Sequence, residues 1–410
     1  MGVDYSITDI LDSKAENSGP IIYYGIEKNV SNQIFIPSHG LLEQSGIKDC
    51  TEAMETLAKN ILTSIGKGEI FKDDIFSIIF FMISRYEEYL PHEADQIGRY
   101  QAKNSLSYRL QILDRAIVDE CILNLQGIIT EKYPNYIFPN RKKFAIHSTI
   151  DIDQVWAYAH KGFRNVAGAI KDLIKGDLFS FKRRLTSFNN HKNDPFNTYD
   201  LIETFHKKHR IAPKYFVLFA SNTSTYDKNH DISEPNFQTK IKALAEKYAV
   251  GIHPSFSSNE DPNVLSSEIK NLNNLLKTKI TTSRQHFIKL EFPTTYRNLI
   301  LNGIKEDYSM GYPDEIGYRA GTGHRFYWYD LINESLTDLK IHPFQIMDVT
   351  LKNYKKQSQN QAKLEIGKLM EYAKRIDSPI CVIWHNSSLD EASDWKGWSD
   401  VYEFVLGLNK

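Results

Sequence analysis

The sequence predicts an α/β fold built on a mostly parallel sheet, either open or closed into a barrel. Three observations predict it. From Phe144 onward, four apolar stretches ("FAIHSTI", "KYFVLFA", "YAVGIHPS" and "PICVIWH") read as buried strands. Helical stretches such as "NFQTKIKALAEKY" and "NQAKLEIGKLMEYAKRI" lie between or before them, and strands that alternate with helices imply parallel pairing. The third is size. A chain of 410 residues, 41% hydrophobic with 23 Tyr and 22 Phe, has core material for two domains, or for one large domain with an extension.

Taken in order, residues 1 to about 140 alternate short strand-like pieces ("PIIYYGI", "QIFIPS") with helices. "DDIFSIIFFMISRYEEYL" carries apolar residues at helical spacing, and "SLSYRLQILDRAIVDECILNLQGIITEKY" reads as one long amphipathic helix. The prolines and asparagines of "YPNYIFPNRKK" mark a boundary. Residues 1–140 are therefore expected to form an N-terminal α/β accessory domain, and 141–410 the strand–helix domain. Residues 161–193 are rich in Lys and Arg against only Asp172 and Asp177. The first reading is a solvated helical insertion. The sharper one is contact with an anionic glycan or a lipid-linked sugar, since a basic amphipathic stretch can lie on a membrane surface.

Composition excludes several classes. The net charge of -1 gives no electrostatic case for nucleic acid as the main partner. Three widely spaced cysteines, Cys50, Cys121 and Cys381, imply neither a disulfide framework nor a thiolate zinc site. The first twenty residues lack a signal-peptide pattern, and the longest strongly apolar run, residues 75–83, is too short for a transmembrane span. The expectation is a cytoplasmic protein. Gly2 and Ser6 match a myristoylation spacing that is short enough to arise by chance.

In parallel α/β folds, function gathers at the carboxyl ends of the strands. Asp151 and Asp153 end "FAIHSTIDID", where i and i+2 spacing puts both carboxylates on one face of a strand. A turn or helix cap explains such a pair equally well. His253 ends "YAVGIH", His385 ends "PICVIWH", and His286 in "TTSRQHFIKL" ends a possible further strand. A lone histidine is usually structural. Several Asp and His residues at strand ends that the fold brings together favour a metal ligand beside a general base.

These residues carry a resemblance. From about residue 144 the chain resembles the polysaccharide deacetylases, the NodB-homology group of metal-dependent carbohydrate esterases. "TIDID" matches the first motif, "VGIHPSF" the second, "GYRAGTG" the third, "IMDVTLKNY" the fourth and "IWHN" the last, in the family's order. The resemblance implies a NodB-like distorted (β/α) barrel, a divalent metal, zinc above all, and an N-acetylated sugar or polysaccharide as substrate. It implies Asp153 and His253 as metal ligands and Asp151 as the base. Arg319 would pair with Asp151, His385 would be the acid, and Asp348 would orient His385. The family's second motif has another histidine four residues on, where this chain has Ser257. His286 would supply the missing ligand if "SRQHF" forms the neighbouring strand; otherwise Ser257 or water completes the shell, or the site is lost. The aromatic segment around Arg319 makes Tyr318 and Trp328 candidate substrate contacts, with Trp384 beside an acetyl-sized pocket.

Overall fold

The computed structural model describes residues 4–8, 19–27, 33–65, 72–139 and 143–409. The expected boundary between residues 140 and 141, and Gly2 of the N-terminal spacing, lie outside these residues. Strands β1 (Ile22–Gly25) and β2 (Ile34–Pro37) pair in parallel as a small separate sheet. The main sheet comprises β3 (Ile146–Ile152), β4 (Lys214–Leu218), β5 (Ala249–His253), β6 (Thr282–Ser283), β7 (Glu306–Asp307), β8 (Phe326–Asp330), β9 (Ser335–Ile341), β10 (Ile346–Met347) and β11 (Ile380–His385). Its order is β10-β11-β3-β4-β5-β6-β7-β9-β8. Every pairing is parallel except that of β8 with β9. The four stretches read as strands in the sequence are β3, β4, β5 and β11, with helices Pro235–Lys247 and Gln359–Arg375 leading into β5 and β11. The expected barrel is not closed. Among the described residues the sheet runs from an edge at β10 to an edge at β8, and no pairing joins the two.

Register places the strand ends. Asp151 pairs with His385 across β3 and β11, and Leu218 pairs with His253 across β4 and β5. Gly251, two residues before His253, permits the close approach of β5 to its neighbours: a Cβ there would lie 2.5 Å from Thr282 Oγ1 and 2.7 Å from the Phe216 ring.

The long helix expected over residues 105–133 is broken. It forms as a single turn, Leu106–Arg109, and a sixteen-residue helix, Ile117–Lys132. Gln111 adopts φ 58°, and the Ile112 amide turns back to the Ser107 carbonyl (2.8 Å). Tertiary contact accounts for the interruption. The Leu113 carbonyl accepts the Tyr318 amide (2.8 Å) and sits over Gly317, where φ is 123° and a Cβ would lie 2.1 Å from that oxygen.

One apolar core gathers residues of 34–129 together with Leu331, and a larger one packs on one face of the main sheet, whose opposite face carries a separate small cluster of Phe216, Met347, Cys381 and Ile383. A buried ion cluster joins them. Arg85 bonds Glu87 (2.8 Å) and Glu88 (2.7 Å), and Arg319 bonds Glu88 through two nitrogens (2.9 and 2.5 Å). Arg85 also donates to the Arg319 carbonyl. The helix Tyr199–His209 carries the run "FHKKH". His206 is buried and bonds the Ile202 carbonyl and Ser148 Oγ, while its two lysines point outward.

Candidate metal centre

Three strand ends converge. The closest ligand atoms of Asp153, His253 and His286 all lie within 4.8 Å of one another. Asp153 follows β3, His253 ends β5, and His286 lies three residues past β6, in which only Ser283 of "SRQHF" is strand. His253 Nε2 is 3.3 Å from Asp153 Oδ1, and His286 Nε2 is 3.7 Å from the same oxygen. Donors about 2 Å from a tetrahedral ion stand about 3.3 Å apart, so these separations fit a shared cation.

The hydrogen bonds behind the imidazoles fix which nitrogens face inward. His253 Nδ1 donates to the Arg284 carbonyl (2.6 Å), and His286 Nδ1 bonds Asp227 Oδ1 (2.9 Å). The Nε2 atoms are left to face Asp153, the arrangement typical of ligating histidines held by outer partners. Asp153 Oδ1 is itself buried without a hydrogen-bond partner, a costly state for a carboxylate oxygen unless a cation completes it. With only protein charges around it, His286 is opposed by burial but carried up to about 9 by Asp153 and Asp227. A cation at this point would take the place of a proton on its Nε2.

Asp151 lies beside this group, its Oδ2 3.8 Å from His253 Nε2. Its charge partner is Arg284, whose Nη1 bonds Asp151 Oδ1 (2.8 Å) and Thr149 Oγ1 (2.6 Å). Arg284 is fully buried, with its Nε on the Tyr308 carbonyl (3.0 Å) and its guanidinium 4.6 Å above the Phe216 ring. Across the site, His385 Nδ1 and its backbone amide both bond the buried Asp348 at 2.8 Å. Burial opposes the imidazolium, but Asp348, then Asp153 and Asp151, carry its pKa up to about 10. His385 Nε2 stands 3.9 Å from Asp153 Oδ2.

Four expected placements differ. Arg319 does not reach Asp151; it is held by Glu88, and Arg284 occupies the expected position. Tyr318, Trp328 and Trp384 are core residues and not substrate contacts. Tyr318 is buried against Tyr372, Trp328 against Tyr296, and Trp384 against Tyr402. For Trp384 the cause is strand alternation: it precedes His385 in β11 and so faces the opposite side. Trp398 likewise caps the core, with Trp395 edge-on to it at 5.5 Å.

Sequence reasoning passed over Arg284 and Asp227. Arg284 directly follows β6, two residues before His286, and a buried arginine at a strand end is its one local signal. Asp227 lies in the loop after β4, in polar sequence that reads only as a turn. Arg99 was also missed. It donates to the Phe287 carbonyl (2.9 Å) and the Tyr354 hydroxyl (2.8 Å). Phe287 and Ile288 both have φ near 60° (60° and 57°), so the segment behind His286 is strained and is braced by a residue from the N-terminal region.

Residues 1–134 match a family of unknown function, DUF7033. No curated protein matches. Among solved structures, the chain is similar to a protein of Mycobacterium smegmatis assigned to the polysaccharide deacetylases, at 10% identity and a TM-score of 0.42, over 67% of this chain and 86% of that one. It is also similar to an allantoinase, at 8% identity and a TM-score of 0.39, over 65% and 84% of the two chains. A polysaccharide deacetylase of Bacillus cereus matches at 10% identity and a TM-score of 0.33, over 65% and 86%.

Proposed function

We propose that this protein is a metal-dependent hydrolase that removes acetyl groups from an N-acetylated sugar or polysaccharide. The observation that carries the reading is the oxygen of Asp153, buried without a partner and faced by two imidazole Nε2 atoms whose Nδ1 atoms are already committed. A divalent ion there, zinc by the nitrogen-and-oxygen donor set, supplies a Lewis acid that acidifies water and polarises an amide carbonyl. The chain supplies the proton transfers. Asp151, held in place by Arg284, takes the proton of the attacking water. His385, kept cationic by Asp348, gives its Nε2 proton to the departing amine. The five sequence motifs support the same reading, with Arg284 in the role first given to Arg319.

Metal analysis and acetate release from N-acetylglucosamine oligomers test it together. The purified protein should hold about one divalent ion per chain, and Asp153→Ala or His286→Ala should bring the metal to background. Asp151→Asn should keep the metal and lose about 10²- to 10⁴-fold in acetate release. Full loading of Asp153→Ala would sink the metal site. A loaded protein that binds the oligomers without releasing acetate would instead make the chain a glycan-binding protein.

A further inference from the structure

Two helices between β3 and β4, Phe163–Ile174 and Leu178–Asn189, form a hairpin whose polarity is reversed. In a soluble hairpin the apolar stripe packs inward and the charges face water. Here the contact between the helices is polar. Arg184 bonds Asp172 (2.9 Å) and Asn165 (2.9 Å), and a Cβ on Gly168 would lie 2.5 Å from the Arg184 guanidinium. Among the described side chains of the pair, Asn165 and Ser187 are the buried ones. The apolar residues turn outward: Val166, Ile170 and Ile174 along one helix, and Leu178, Leu185 and Phe188 along the other, are 45% to 81% exposed. Spacings of four, seven and ten residues put each set on one face.

We propose that this hairpin is a docking element for an anionic membrane surface, lying in the interface plane with its apolar face among the lipid headgroups. Charge selects this occupant. Residues 161–193 hold eight Lys and Arg against two Asp. Both aspartates are engaged, Asp172 by Arg184 and Asp177 as the cap of Ser180 (2.9 Å). Lys171, Lys175 and Lys182 occupy exposed positions around the apolar face. A second copy seated on this face would set lysine against lysine with no free hairpin carboxylate, whereas an anionic bilayer satisfies both the apolar and the basic residues. No helix of the described residues is long and apolar enough to cross a membrane, which fits an element that lies on the surface. The hairpin is anchored beside the candidate site: Arg183 clasps both oxygens of Asp390 (2.7 Å each), five residues past His385.

Vesicle co-sedimentation of the full chain tests this. The protein should pellet with vesicles of phosphatidylcholine plus phosphatidylglycerol, release at high salt, and stay in solution with phosphatidylcholine alone. The triple variant Ile170→Glu, Ile174→Glu, Phe188→Glu should remain in solution with both. Lys171→Gln, Lys175→Gln, Lys182→Gln should partition about a hundredfold more weakly, since three charges leave the anionic surface. The lysine variant keeps the test decisive if the glutamate variant fails to fold. Equal pelleting with neutral lipid, or no pelleting with anionic lipid, overturns the proposal. So does a wild-type dimer by light scattering that the glutamate variant abolishes, which would make the face a contact between copies.

Discussion

At the scale of single residues, the two buried arginines separate catalysis from stability. Arg284 sits on Asp151 at the site, and Arg319 sits on Glu88 away from it. Removing one partner of a buried pair leaves an uncompensated charge and costs about 3–5 kcal/mol, so Arg284→Gln and Arg319→Gln should both lower the unfolding midpoint. Acetate release per folded, metal-loaded molecule should fall only for Arg284→Gln, because only that change alters the base. Equal losses in both variants would mean Arg284 has no particular role. The sequence separated the two poorly for a physical reason. Arg319 lies in a motif of recognisable order, whereas Arg284 is identified by its contacts in space with Thr149, Asp151 and Tyr308. Asp153, His253 and His385 were legible because each ends a strand whose apolar run announces it.

At the scale of elements, β3, β4, β5 and β11 could be read from their β-branched and aromatic runs, whereas the two-residue strands β6, β7 and β10 are too short to show a pattern. The broken helix near Leu113 and the strained turn at Phe287 could not be read, since tertiary contacts impose them. The helix Pro262–Leu276, which packs behind β5, holds a further device of this kind. Its Glu268 is fully buried; Oε2 accepts the Ser255 amide (3.0 Å), and Oε1 has no partner. Burial, opposed by the bonds to Ser255, pushes its carboxyl up to about 7 from 4.5. A raised carboxyl binds its proton more tightly in the folded state. Its stabilisation is therefore complete below the unfolded value and is lost as pH rises from about 4.5 through about 7. Glu268→Gln, which mimics the protonated form, should gain on the parent by about 3 kcal/mol across that window. Denaturant unfolding at pH 5 and pH 8 checks this; a constant offset between the two proteins would show that Glu268 does not titrate there.

At the scale of the molecule, the N-terminal region is bound into the structure that carries the site. Leu331, from the turn between β8 and β9, belongs to the N-terminal apolar core. The Val118 amide bonds the Gly321 carbonyl (2.9 Å), and Arg99 braces the segment behind His286. The Arg85, Glu87, Glu88 and Arg319 cluster is buried between the two parts. Cutting the chain at residue 143 would leave Arg319 buried with no carboxylate, or oblige it to rearrange into water, and would expose the apolar surface beneath Leu331 and Tyr329. Each loss is a large fraction of a typical domain's net stability. The intact chain should therefore unfold in one cooperative calorimetric transition, and the fragment 143–410 should lack a native-like transition even with zinc present. Glu88→Gln should lower that single transition as a whole, because the two parts share the cluster. If the fragment melts cooperatively within a few degrees of the full chain and takes up metal, the N-terminal region is an independent attachment, and the bracing of His286 by Arg99 is dispensable to the site.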